Sequence, residues 1–419
     1  MWINLAEGTW LKHRRIQNET VLALALSAFL FAIPLSNTAQ SITFVVAVVL
    51  LLASKWPVDS FRYLLKQPWV MALAGFLLLV IMGCLWSPAS WSGEFLVIKK
   101  YSKLLWLPVL TLGFVHPRTR HWGLHAFLGA MLLTCLVAVA KTISLGSLHN
   151  DIPGYVFRNY IMTGHMMAFA SYLAGYYAIT RPRWRMAYLA MFLLFSYQIL
   201  FLSLGRTGYI VYFLLLFLLM VHVLNRKQLV AGLLAAGLAL TLAMHYSPRM
   251  QQGLYGIVDN LQHFQQGDKS TSVGFRLQFQ QFSWQLFRES PVIGHGTGSF
   301  AYYFEQRQPV PAWGKRLNEP HNQYWLIAAE YGLVGVVAYL VLLATLYLAS
   351  RRLRDMKPIA VALLVPFVIG GFSDSLLFYS SSGYFFLALM ALCLGEGLVL
   401  FPFSFDKLTV IPAKAGNHS

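Results

Sequence analysis

The sequence predicts an all-α polytopic membrane protein, with about twelve transmembrane helices and one large outer loop that contains amphipathic helices. Three observations carry this prediction. Hydrophobic residues make up 58% of the 419 and charged residues 11%, with a mean hydropathy of +0.58. Soluble domains run nearer 45–50% and about 25%. Apolar runs of roughly 16–25 residues, about the length that a hydrocarbon core of ~30 Å demands, recur along the whole chain. The excess of 32 basic over 15 acidic residues is sorted by side rather than gathered in a patch. Too little polar surface remains to cover a soluble enzyme. Cys84, Cys135 and Cys393 all sit inside apolar runs at spacings that fit neither a disulfide framework nor a metal site.

The expected spans are 20–36, 38–53, 69–85, 102–115, 123–145, 160–180, 185–203, 206–224, 229–245, 323–349, 358–379 and 381–401. The first two and the fourth are short, which fits tilted or re-entrant segments. Spans one to nine thus occupy residues 1–245, the loop 246–322, spans ten to twelve 323–401, and a cytoplasmic tail 402–419. The first run follows Lys12, Arg14 and Arg15, as a signal sequence would. No A-x-A-like site follows its apolar stretch, which predicts an uncleaved anchor.

With the N-terminus inside, nineteen basic residues fall on cytoplasmic segments and six on short outer segments and outer helix ends. The positive-inside rule is counted over short loops, so the seven in the long loop are set aside. The basic balance is therefore a topology signal: membrane lipid is the expected partner, and nucleic acid is not.

The loop 246–322 opens with Met250, Leu254, Ile257, Val258, Leu261 and Phe264 at helical spacing among polar residues. This describes an amphipathic helix suited to the interface. A second helix is expected to start near Thr271 or Ser272, with Phe275, Phe279, Phe282 and Leu286 on one face. Capping the bundle is the competing reading for both.

Phosphate-loop, zinc-protease and nucleophile-elbow signatures are absent. Gly294-His295-Gly296-Thr297-Gly298 follows no strand and reads as a flexible turn, with His295 more plausibly solvated than ligating. Any reaction must then draw on an activated substrate already in the membrane. The remaining candidates are ionisable groups at one depth. Arg206 opens span eight in Gly205-Arg206-Thr207-Gly208. An arginine between apolar helices is expensive and therefore a functional candidate, with snorkelling to head groups as the alternative. Arg276 lies at the start of the second loop helix, where it is either functional or simply solvated. His321, in Asn318-Glu319-Pro320-His321-Asn322, precedes span ten. With Asn318 as N-cap and proline in the first turn, the helix dipole would keep its ring neutral and able to accept a proton; an interfacial histidine bonded to water competes. Asp374, near the outer end of span eleven, would orient His321 or pair with an arginine. Glu330, nine residues into span ten, is expected to pack or hydrogen-bond. Arginine forks match diphosphate geometry and can stabilise a leaving group without a metal, and no Asp-rich metal site is present.

At these residues the sequence resembles the O-antigen ligase family of Gram-negative inner membranes. The carrying segments are Ser203-Leu204-Gly205-Arg206-Thr207-Gly208, Arg276, Ser290-Pro291-Val292-Ile293-Gly294-His295-Gly296, and His321-Asn322-Gln323-Tyr324-Trp325-Leu326 running into Glu330-Tyr331-Gly332-Leu333-Val334-Gly335. The resemblance implies about twelve spans with a large periplasmic loop. It also implies a metal- and cofactor-independent, inverting transfer of a polysaccharide from undecaprenyl diphosphate to a sugar hydroxyl of the lipid A core. By position, Arg206 and Arg276 would hold the diphosphate and His321 would act as general base, with Asp374 matching a carboxylate near the family's site. The same motifs serve polysaccharide polymerases, and protein O-oligosaccharyltransferases share the donor but usually carry a longer C-terminal region. A flippase or transporter fits less well, because transporters place charges near the midplane.

Overall fold

The computed structural model describes residues 19–54, 58–144 and 156–398, and all regular structure among them is helical. Seventeen helices follow in chain order. They are α1 (Glu19–Ala32), α2 (Asn37–Ala53), α3 (Val58–Leu65), α4 (Pro68–Met82), α5 (Trp91–Tyr101), α6 (Trp106–Gly113), α7 (Pro117–Ser144), α8 (Tyr160–Thr180) and α9 (Arg185–Tyr197). The second half of the chain adds α10 (Arg206–Val223), α11 (Arg226–Tyr246), α12 (Pro248–Gln265), α13 (Ser272–Glu289), α14 (Ser299–Arg307), α15 (Gln323–Arg351), α16 (Lys357–Gly370) and α17 (Ser380–Leu394). The basic stretch ahead of α1 and the tail 402–419 lie outside the described residues.

Among the described residues, seven helical segments are long and apolar enough to cross a membrane, and α1, α2 and α16 are shorter apolar helices. Two expected spans resolve differently. Residues 102–115 form a 3-10 turn followed by the eight-residue α6. The expected span 358–379 ends as a helix at Gly370, and 371–379 run as consecutive turns. The helix α8 has the length of a span but a lower hydropathy, and the reason is its position. Most of its side chains are buried, including Thr163, His165 and Ser171, and it packs against α9 and α10. A helix enclosed by protein need not be as apolar as one facing lipid. The helix α10 crosses it closely, with a Cβ at Gly208 lying 3.4 Å from the Gly164 backbone.

The loop helices form as their sequences predict. Ser247 caps α12 through Met250 N and ties it to the π-helical turn that follows α9 by donating a 2.7 Å bond to the Leu200 carbonyl. Thr271 caps α13, which buries Phe279, Phe282 and Leu286 and leaves Phe275 half-buried.

The helix α15 is broken at Gly332 (φ 59°, ψ −154°), and the Gly294–Gly298 segment is the other half of that joint. At the break, Leu333 N and Val334 N donate to the carbonyls of Pro291 and Val292, while His295 N and Gly296 N donate to those of Ala329 and Glu330. Glu330 Oε1 also accepts from Gly298 N at 3.0 Å. The expected flexible turn is thus a clamp that satisfies the backbone freed by the break, as irregular backbone within a membrane protein must be. His295 bonds the Leu286 carbonyl through Nε2 at 2.9 Å and is part of the same packing.

Candidate active site

The site is assembled from three places in the chain. At the start of α15, Asn322 supplies the N-cap by accepting from Tyr324 N and Trp325 N. This corrects the expectation that Asn318 caps the helix: the helix starts at Gln323, so His321 stands one residue before the cap, in a left-handed conformation (φ 53°). Asn322 Nδ2 donates to the Phe372 carbonyl at 3.1 Å, and Gln323 N donates to that of Gly371 at 2.8 Å. Gln323 Oε1 accepts from Leu377 N at 2.9 Å. The two residues after His321 therefore pin the turn 371–379 against the head of α15. That turn carries Asp374, which sits four residues beyond α16 rather than on a helix end.

The pinned turn brings Asp374 Oδ1 to 3.2 Å from His321 Nδ1. A second carboxylate, which the sequence reading used only as part of a helix start, reaches the same nitrogen: Glu319 Oε1 lies 3.0 Å from Nδ1. Both acids are buried, while the His321 side chain keeps 24% exposure, so the ring can meet a substrate from its other edge. Burial alone would lower the imidazole pKa. The hydrogen bond to Asp374 and the charges of Glu319 and Asp374 outweigh burial and raise it above the ordinary histidine value. The expected depression by the helix dipole is overturned, because two charges within hydrogen-bond range exceed a half-charge at a terminus that His321 does not occupy. Burial pushes the Glu319 carboxyl upward, and the charge of His321 pulls it back.

Arg276, on α13, lies close enough for its charge to act on His321 and on Tyr379. The same holds between Arg276 and Arg206. Arg206 is the first residue of α10, where Gly205 approaches the Tyr160 carbonyl. Its guanidinium reaches α12, with Nη2 3.0 Å from the Cβ position of Gly256. Neither guanidinium has a carboxylate or hydrogen-bond partner among the described residues. Phe279 of α13 covers the His321 ring at 6.1 Å between centroids, and Trp313 packs on Phe275 and Phe279 at 5.0 and 5.1 Å. The result is an aromatic-walled site in which a histidine held by two acids faces Arg276, with Arg206 next to it and neither arginine neutralised by an acid among the described residues.

Glu319, His321 and Asp374 are also the one described group of three whose donor atoms lie within 4.8 Å of one another, close enough for a cation. Their donors are already engaged: Glu319 accepts from the Tyr379 hydroxyl at 2.6 Å and from His321 N at 2.7 Å, and Asp374 accepts from Ser375 N. A cation would have to displace part of that network.

Of the four residues singled out in the sequence, the structure brings His321 and Asp374 into contact and sets Arg276 within electrostatic reach of His321, with Arg206 next to Arg276. Glu319 was missed. The available signal was an acid two residues before the histidine, in a stretch already singled out.

Residues 189–340 match the model of the O-antigen ligase family. The match runs from α9 into α15 and includes Arg206, Arg276 and His321; Asp374 lies beyond it. No protein in the curated set matches the chain.

Proposed function

We propose that this chain, which carries the O-antigen ligase domain over residues 189–340, is an inner-membrane glycosyltransferase working at the periplasmic face. It moves a polysaccharide from undecaprenyl diphosphate to a sugar hydroxyl of the lipid A core. The observation that carries this reading is the pairing of two arginines, without a partner among the described residues, with a histidine braced by acids. A diphosphate leaving group calls for fixed positive charge, and an acceptor hydroxyl calls for a base.

In this mechanism Arg206 and Arg276 hold the donor diphosphate through forked hydrogen bonds, which suit its paired oxygens. His321 Nε2 takes the proton of the acceptor hydroxyl as its oxygen attacks the anomeric carbon. The bond to the diphosphate breaks, and its electron pair leaves on an oxygen that the arginines stabilise. Attack opposite the leaving group inverts the anomeric carbon. The arginines supply the positive charge, so the step needs no metal. Phe275 and Trp313, both half-buried, offer apolar faces on which sugar rings can stack.

A polymerase would use the same donor with a second lipid-linked glycan as acceptor, and a protein O-oligosaccharyltransferase would use serine or threonine. Purified protein in liposomes, given undecaprenyl-diphosphate glycan and lipid A-core together, separates the ligase from the polymerase. Glycan joined to the core supports the ligase. Growth of the lipid-linked chain with the core untouched would make it a polymerase.

A further inference from the structure

Glu319 is buried two residues before His321 and makes three contacts with direct bearing on the ring. Oε2 accepts the His321 backbone N–H at 2.7 Å, Oε1 lies 3.0 Å from His321 Nδ1, and Oε1 also accepts the Tyr379 hydroxyl at 2.6 Å. Pro320 between them fixes the backbone, and His321 holds a left-handed conformation that residues with a Cβ rarely adopt. One carboxylate thus grips both the main chain and the side chain of the same residue. Asp374 approaches Nδ1 separately, from the turn after α16.

We propose that Glu319 is a positioning residue for His321, acting alongside Asp374. Together the two carboxylates keep the proton of the neutral ring on Nδ1, so that Nε2 presents its lone pair, and they balance the positive charge the ring gains when Nε2 takes the acceptor proton. The ring returns to its starting state by releasing that proton to water. This assignment rests on the general-base reading of His321. A purely structural Glu319 would need only an acceptor oxygen for the His321 N–H, and its charge would not matter.

Several groups face this pair from the surrounding elements. Arg276 comes from α13, Asp374 from the turn after α16, and Tyr379 from just before α17. Lys103, between α5 and α6, donates to the Tyr379 carbonyl at 2.9 Å. His165 of α8 feels Asp374 and abuts Gly370. Of these, only Asp374 joins Glu319 within hydrogen-bond range of Nδ1.

The test is a pH titration of the His321 ring by nitrogen NMR, on protein with labelled histidine in nanodiscs, the signal being assigned by its loss in His321→Ala. The wild-type midpoint should lie above the ~6.5 of a free histidine. Glu319→Gln, which can still accept the His321 N–H, should lower it by about one pH unit or more, and Glu319→Asp should recover part of that shift. In the transfer assay, Glu319→Gln should cut kcat about tenfold or more while moving the donor KM less than twofold. A wild-type midpoint below 6.5 overturns the proposal even if no variant folds. An unmoved midpoint in a folded Glu319→Gln makes the residue a strut. If the midpoint moves as expected but no glycan is transferred, the proposed function fails and the positioning of His321 stands.

Discussion

Arg206 and Gly256 meet where α12 passes over the start of α10: the guanidinium Nη2 stands 3.0 Å from the point a Cβ on Gly256 would occupy. The arginine is thus shaped from outside by a helix of the loop. Alanine is the better helix former by about 1 kcal/mol, and the atom it would push is the far end of a flexible side chain. Gly256→Ala should therefore leave the thermal midpoint unchanged or higher, yet displace the guanidinium from its anion. Losing one charge-assisted hydrogen bond costs ~1.5–3 kcal/mol, which corresponds to a donor KM raised roughly tenfold or more. Thermal melts and donor kinetics on the same preparation check the split. Equal KM in both proteins would mean that Arg206 finds the donor from another rotamer.

Arg206 and Arg276 have no acidic partner among the described residues and lie within electrostatic reach of each other. If they hold the diphosphate by forked hydrogen bonds, lysine at either position keeps the charge and loses the fork. Arg206→Lys and Arg276→Lys should fail nearly as badly as the alanine variants, with normal membrane insertion. Full activity in both lysine variants would show that charge alone is enough.

The same arrangement predicts the response to chelation. With positive charge supplied by two arginines, EDTA should leave transfer unchanged. Glu319, His321 and Asp374 lie close enough together to hold a cation, so the experiment has a specific failure. Inhibition by EDTA that Mg²⁺ reverses would assign those three residues to a metal.

The helical class and the helices α12 and α13 were legible because they rest on hydropathy and on the 3.6-residue period. The span boundaries were less so, for physical reasons. The turn 371–379 is nearly as apolar as a helix, and only its tertiary anchors at Asn322 and Gln323 show that it is not one. Arg206 was findable as a costly polar group between apolar helices, whereas Arg276, His321 and Asp374 stood out by their positions in a chain that resembles the ligase family. Their electrostatics were not, because the state of His321 depends on Asp374, fifty-three residues away, and on the side-chain direction of Glu319. Nor could sequence show that Gly294–Gly298 and Gly332 form one joint, since a flexible turn and a clamped one use the same glycines.

That joint yields its own prediction. A Cβ at Gly332 would stand 2.5 Å from the Val292 carbonyl, in a residue whose φ is 59°. Gly314 has a similar φ of 61° with nothing within 4 Å. Gly314→Ala should cost only the left-handed conformation, about 1–2 kcal/mol. Gly332→Ala should cost more, because at ψ −154° its backbone lies in a region that essentially only glycine adopts and a backbone clash is added, and the protein should express poorly or melt far lower. Scanning fluorimetry of the two variants checks the difference. Equal melting would mean that the broken helix can slide away from its clamp.

His321 carries the sharpest expectation. General-base assistance is typically worth ~10²–10⁴-fold, so His321→Ala should lose transfer by that much while still binding the lipid-diphosphate donor through the arginines. The raised pKa fixes the sign of the pH dependence. Below its midpoint the ring is protonated and cannot accept the hydroxyl proton, so the rate should fall as pH drops through a value above ~6.5. Asp374→Asn removes one of the two charges holding the midpoint up, so its acid limb should move to lower pH while part of the rate survives on Glu319. Donor binding and turnover must be measured on the same purified variant. If His321→Ala loses both together, His321 is a donor ligand, and Asp374 becomes the first candidate for the base.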